Sequence, residues 1–75
     1  MSKLPRLSGG RLVAALLKLG FVKVRQRGSH LLLRRQKPEV GALCVVPMHR
    51  ELATGTVHGI LKQAGVTPDE LQAVL

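Results

Sequence analysis

The sequence predicts an α+β domain in which one helix is followed by a three-stranded antiparallel meander and two closing helices. Three observations carry that expectation. Leu12, Val13, Leu16 and Leu17 recur at helical spacing and stop at Gly20. Two strand-like stretches, Phe21 to Arg27 and His30 to Arg35, flank Gly28-Ser29, where a glycine able to take positive φ suits a tight turn. Near the end, Thr67-Pro68-Asp69-Glu70 combines a threonine cap, a proline at the first helical position and a glutamate three residues after the cap. A chain of 75 residues has room for one core that only just overcomes conformational entropy, so residues 1–75 are expected to form a single domain.

Ser8 is a suitable N-cap, and the first helix is expected from about Ser8 to Leu19, with Arg11 and Lys18 facing outward. In the next stretch Val22 and Val24 alternate with Lys23, Arg25 and Arg27, the period of a half-buried strand. A two-residue loop at Gly28-Ser29 sets Arg27 opposite His30, and one at Arg27-Gly28 sets Arg25 opposite His30. In both registers directly opposed residues share a face. Lys23, Arg25, Arg27, His30 and Arg34 then gather on one side, with Leu32 among them, while Val22, Val24, Leu31 and Leu33 meet the core. A three-residue loop breaks this parity. Gln36 to Gly41 reads as a loop, and Leu43 to Val46, closed by Pro47, as a third strand. Met48 to Ala53 reads as a loop, and Thr54 or Thr56 can cap a second helix to about Ala64, with Val57, Ile60, Leu61 and Ala64 as its core stripe. The last helix turns Leu71, Val74 and Leu75 inward.

Twelve Lys and Arg against four Asp and Glu give a formal net charge of +8 and a pI near 11.3, which calls for a polyanionic partner: RNA, DNA, an acidic membrane surface or an acidic protein. No apolar run reaches 18 residues and Met1 to Arg6 lacks the apolar core of a leader, so a cytoplasmic protein without a membrane association is expected. The single cysteine, Cys44, lies mid-strand and reads as a small buried hydrophobe. Phe21 is the only aromatic residue, which argues against a surface that reads splayed bases by stacking.

Of the three histidines, His30 sits among arginines on the cationic face, where an imidazole titrating near neutrality suits proton transfer. His49 can support a site or cap a loop, and His58 reads as a surface or packing residue of the second helix. Positions 30, 49 and 58 have no metal-ligand spacing and no phosphate-binding glycine loop is present, so neither a metal nor a cofactor is expected. RNA carries its own nucleophile in the 2′-hydroxyl. A ribonuclease therefore needs a base for that proton, an acid for the leaving 5′-oxygen, and cations against the phosphorane charge. His30 in a field of Lys23, Arg25, Arg27 and Arg34 meets that minimum, with Ser29 placed to position the scissile group and Gly28 to form the turn. The same surface also suits a non-catalytic RNA-binding module. A DNA-binding reading is weaker, because the last two helices lack a basic recognition stripe.

Gly20-Phe21, Arg27-Gly28-Ser29-His30, Val46-Pro47-Met48-His49, and Gly55-Thr56-Val57 through Ile60-Leu61-Lys62-Gln63-Ala64-Gly65 together resemble the HicA mRNA interferase toxins over nearly the whole chain. The resemblance implies a double-stranded-RNA-binding-like α-β-β-β-α(-α) fold with helices on one face of a three-stranded antiparallel sheet. It also implies endoribonuclease activity on mRNA within a type II toxin-antitoxin system, and a cognate HicB-like antitoxin that blocks the active face. The family's catalytic histidine falls on His30 and its turn glycine on Gly28. A monomer is expected when the chain is free. Two departures stand out: many members carry an aromatic residue where this chain has Leu31, Leu32 and Leu33, and Gly59 inside the second helix costs about 1 kcal/mol relative to alanine.

Overall fold

The computed structural model describes residues 4–75; Met1 to Lys3, part of the stretch read as lacking a leader's apolar core, lie outside the described residues. The element order is α1 (Gly9–Lys18), β1 (Phe21–Arg27), β2 (His30–Arg35), β3 (Leu43–Pro47), α2 (Thr54–Ala64) and α3 (Pro68–Val74). This is the expected α+β order. The strands form one antiparallel sheet in the order β1-β2-β3.

Helix α1 begins where its sequence says it should, with the Ser8 hydroxyl accepting a hydrogen bond from the Arg11 N–H at 3.0 Å. Leu12, Val13, Ala15 and Leu16 form its buried stripe, whereas Leu17, expected on that stripe, is exposed. In α2 the expected threonine cap is absent. Thr54 is already helical, the cap position is Ala53, and no side chain satisfies the first N–H groups. Val57, Ile60, Leu61 and Ala64 are buried as expected.

The hairpin loop is Gly28-Ser29, so Arg27 pairs with His30. Gly28 has φ +58° and Ser29 does not have positive φ, the pattern of a type II′ turn, in which glycine takes the first central position. The Gln26 side-chain amide donates to the Gly28 carbonyl at 3.0 Å and steadies the turn. Beyond the turn the pairing runs Arg25 with Leu32, and then the register slips: Lys23 pairs with Leu33 and Val22 with Arg34, leaving Val24 as an inserted residue.

That bulge corrects half of the expected facing. Arg25 and Arg27 share a face with His30, as the parity requires. On the far side of the bulge the parity inverts, so Lys23 lies opposite Leu33 on the helix-covered face. Val22 and Val24, expected in the core, are 37% and 44% exposed, and the buried residue of β1 is Phe21. Arg35, paired with Phe21, places its guanidinium 5.6 Å from the ring centroid at the sheet's edge.

Both layers meet through Leu31, Leu33, Cys44 and Val46 on the sheet and Leu12, Leu16, Val57 and Leu61 on the helices, all buried. Burial pushes the Cys44 thiol up to about 11, consistent with its role as a packed hydrophobe. Two further core residues are Leu7, from the stretch before α1, and Leu52, from the segment read as a loop; they form an isolated antiparallel bridge in which Leu52 N–H donates to Leu7 O at 2.7 Å.

Helix α3 carries the predicted capping box: Glu70 N–H donates to the Thr67 hydroxyl at 3.1 Å, and Thr67 N–H donates to Glu70 Oε1 at 2.9 Å. The hydrogen bonds from the Thr67 backbone and then its side chain hold the Glu70 carboxyl below its ordinary value of 4.5. A lowered carboxyl stabilises the fold above its unfolded-state value, and that contribution fades as pH falls through the lowered one. Thermal melts of Glu70→Gln, which keeps the cap but not the charge, are therefore expected to sit below wild type near neutrality and to converge with it on acidification. A constant gap across that range would remove the ionised capping box as its cause.

Candidate active site on the open sheet face

The helices cover one face of the sheet and leave the other open. Along β3, burial alternates so that Cys44 and Val46 face the helices while Leu43 and Val45 are 53% and 40% exposed. Because opposed residues share a face, the open side is built of three cross-strand rows: Arg27, His30 and Pro47; Arg25, Leu32 and Val45; Val22, Arg34 and Leu43. It is an aliphatic strip with a cation at the β1 edge of two rows and another at the centre of the third, rather than the continuous cationic field the sequence suggested.

His30 occupies the row nearest the turn. It is exposed, and among the described residues no hydrogen bond engages its ring. Directly opposed residues hold their Cβ atoms about 4.5–5.5 Å apart, which makes Arg27 the cation best placed to share a ligand with the imidazole. Arg25 lies two residues further along β1. Arg34 lies four residues along β2, about 13 Å from His30, and its Nε is covered with no acceptor among the described residues. Gly28 and Ser29 form the turn itself, and the Ser29 carbonyl accepts a hydrogen bond from Met48 N–H at 2.6 Å.

The structure thus brings together His30, Arg25, Arg27, Gly28, Ser29 and Arg34, and takes Lys23 out of the set. None of the chain's four acidic residues lies on a strand: Glu39 and Glu51 are in loops, and Asp69 and Glu70 in α3. Glu51 is paired with Arg6 at 2.6 Å in an exposed contact. The strands of the open face therefore present positive charge to an approaching anion with no carboxylate of their own to offset it. Among the described residues no group of three or more His, Cys, Asp or Glu side chains converges as a metal-binding set, and no helix is long and apolar enough to cross a membrane.

Sequence reasoning missed how close the Pro47–His49 segment comes. Pro47 is the cross-strand partner of His30, and Met48 N–H reaches the Ser29 carbonyl, so His49 arrives at the same end of the sheet as His30. Antiparallel pairing of β2 with β3 brings the two histidines to one end of the sheet although nineteen residues separate them in the chain.

A helix-backed three-stranded sheet with a histidine and arginines on its free side defines a small α+β domain with one open, basic sheet face. The family model described as the HicA toxin of bacterial toxin-antitoxin systems matches residues 9–66, and the chain belongs to that family. It is accordingly a toxin of a toxin-antitoxin pair, with an antitoxin as the implied kind of partner. No curated protein matches the chain.

Proposed function

We propose that this toxin is an endoribonuclease that cleaves mRNA in the cytoplasm, with His30 as general acid/base on the open sheet face. The observation that carries the reading is the exposed imidazole of His30 directly opposite Arg27, with no hydrogen-bond partner among the described residues to occupy it. The RNA 2′-hydroxyl supplies the nucleophile: its proton leaves to a base, the 2′-oxygen attacks phosphorus, and the bond to the 5′-oxygen breaks as that oxygen is protonated. Arg27 stabilises the charge developing on the non-bridging oxygens. Arg34, about 13 Å along the face, holds a neighbouring phosphate, and Arg25, between it and Arg27, binds the backbone beside the scissile group, fixing the strand across His30. Gly28 and Ser29 set the turn that delivers the histidine. Neither a metal nor a cofactor has a part in this scheme.

The cognate HicB-like antitoxin is expected to be acidic where it meets this face, since covering Arg25, Arg27 and Arg34 both attracts it and shuts out RNA. The test is cleavage of a labelled RNA strand by the purified toxin in EDTA. The expected products carry a 2′,3′-cyclic phosphate and a 5′-hydroxyl, and a strand with 2′-deoxyribose at the cleavage position resists. Cleavage that stops on chelation, or a product with a 5′-phosphate, would reject this chemistry. Salt-dependent RNA binding with no cleavage by wild type would identify a non-catalytic RNA-binding module instead.

A further inference from the structure

We infer that His49 is a second catalytic residue, which shares the two proton transfers of RNA cleavage with His30; the inference rests on the ribonuclease reading above. In-line transfer needs a proton removed from the 2′-oxygen on one side of the phosphorus and a proton delivered to the 5′-oxygen on the other. Two groups that bracket one phosphate meet that need, and a single imidazole must otherwise serve both ends.

The fold delivers the second group. Cross-strand pairing holds the Cα atoms of His30 and Pro47 about 4.5–5.5 Å apart, and two further residues add at most about 7 Å, so two rings can approach one phosphodiester from different sides. Pro47, the last residue of β3, pairs with His30, Met48 packs against the core, and His49, just past the strand end, is exposed. Its backbone is nonetheless pinned: the His49 carbonyl accepts a hydrogen bond from Gly9 N–H at 2.8 Å, and Met48 N–H donates to Ser29 O at 2.6 Å. That junction requires glycine at the start of α1, since a Cβ on Gly9 would run into the Pro47 carbonyl and lie 2.8 Å from the Met48 Cα. Among the described residues no hydrogen bond engages the His49 ring, and the adjacent carboxylate in sequence, Glu51, is taken by Arg6. A fixed backbone under an unengaged imidazole, one strand away from His30, is the arrangement a proton-transfer pair requires.

The reaction balances without a co-reactant. The 2′-oxygen loses its proton to one imidazole and bonds to phosphorus; the bond from phosphorus to the 5′-oxygen breaks, and that oxygen takes a proton from the other imidazolium. The two rings finish with exchanged protonation states, which solvent resets.

The test compares single-turnover cleavage by wild type, His30→Ala, His49→Ala and His58→Ala, the last lying on the helix layer. One RNA substrate is ordinary and a second carries sulfur in place of the 5′-bridging oxygen, a leaving group that departs without protonation. His49→Ala is expected to lose at least tenfold on ordinary RNA, with the affinity for an uncleavable 2′-O-methyl strand within about twofold of wild type and His58→Ala unchanged. One of the two variants, His30→Ala or His49→Ala, recovers on the sulfur substrate and the other does not, which assigns acid and base. A merely structural role for His49 would leave His49→Ala as impaired on the sulfur substrate as on ordinary RNA, and would also weaken its affinity for the uncleavable strand or lower its melting temperature. His49→Ala cleaving at the wild-type rate, or sulfur rescuing both variants or neither, overturns the inference. Absence of cleavage by wild type would overturn the ribonuclease reading itself, and this inference with it.

Discussion

His30→Ala is expected to reduce RNA cleavage by about 10²–10⁴-fold while leaving RNA affinity close to that of wild type. The asymmetry follows from the geometry: the imidazole has no hydrogen bond to lose among the described residues, and Arg25, Arg27 and Arg34 remain to bind phosphates. Single-turnover rates on a labelled strand measure the first quantity, and the midpoint of a binding titration measures the second. Growth of a bacterial host expressing each form gives the same comparison in a cell, with wild type arresting growth and the variant permitting it. Equal losses of rate and affinity would make His30 a binding residue, and an unchanged rate would remove it from the chemistry.

Leu33→Ala is expected to be the most damaging of the single substitutions considered, at about 2–5 kcal/mol. Leu33 is fully buried on the helix-covered side of β2, between Lys23 and Cys44 in the sheet, so its truncation leaves a cavity that neither layer can readily fill. For a domain of this size each kcal/mol moves the melting temperature by about 4–8 °C, so the variant should melt roughly 10 °C or more below wild type. Leu32→Ala, one residue away on the open face, is the control and should cost much less, because that side chain is only partly buried. Should the two melt alike, the assignment of faces along β2 would be wrong, and His30 and Arg34, which share Leu32's face, would lose their claim to solvent.

Much of this architecture is legible in local residue patterns, because its signals are short-range. The Ser8 cap, the Thr67-Pro68-Asp69-Glu70 start and the glycine in the hairpin turn each act within a few residues of themselves, and each appears where expected. The alternation along β2 also carries over, since Leu31 and Leu33 are buried while His30 is exposed. The cap of α2 does not, because two threonines compete on paper and the backbone chooses Ala53, placing both inside the helix.

Sequence alone determined the order of elements, the presence of a glycine turn just before His30, and the cationic character of the strand that pairs with it, because caps, turns and charge depend on neighbours along the chain; the pairing of Arg27 with His30 selected Gly28-Ser29 as the loop. The bulge at Val24 was beyond its reach. Whether β1 accommodates an extra residue depends on which of Phe21, Val22 and Val24 the helices receive, and packing selected Phe21. Packing likewise enlisted Leu7 and Leu52 for the core, moved Lys23 away from the arginines, and carried His49 to the same end of the sheet as His30. Those outcomes are set by contacts between residues far apart in sequence, and only a folded core establishes them.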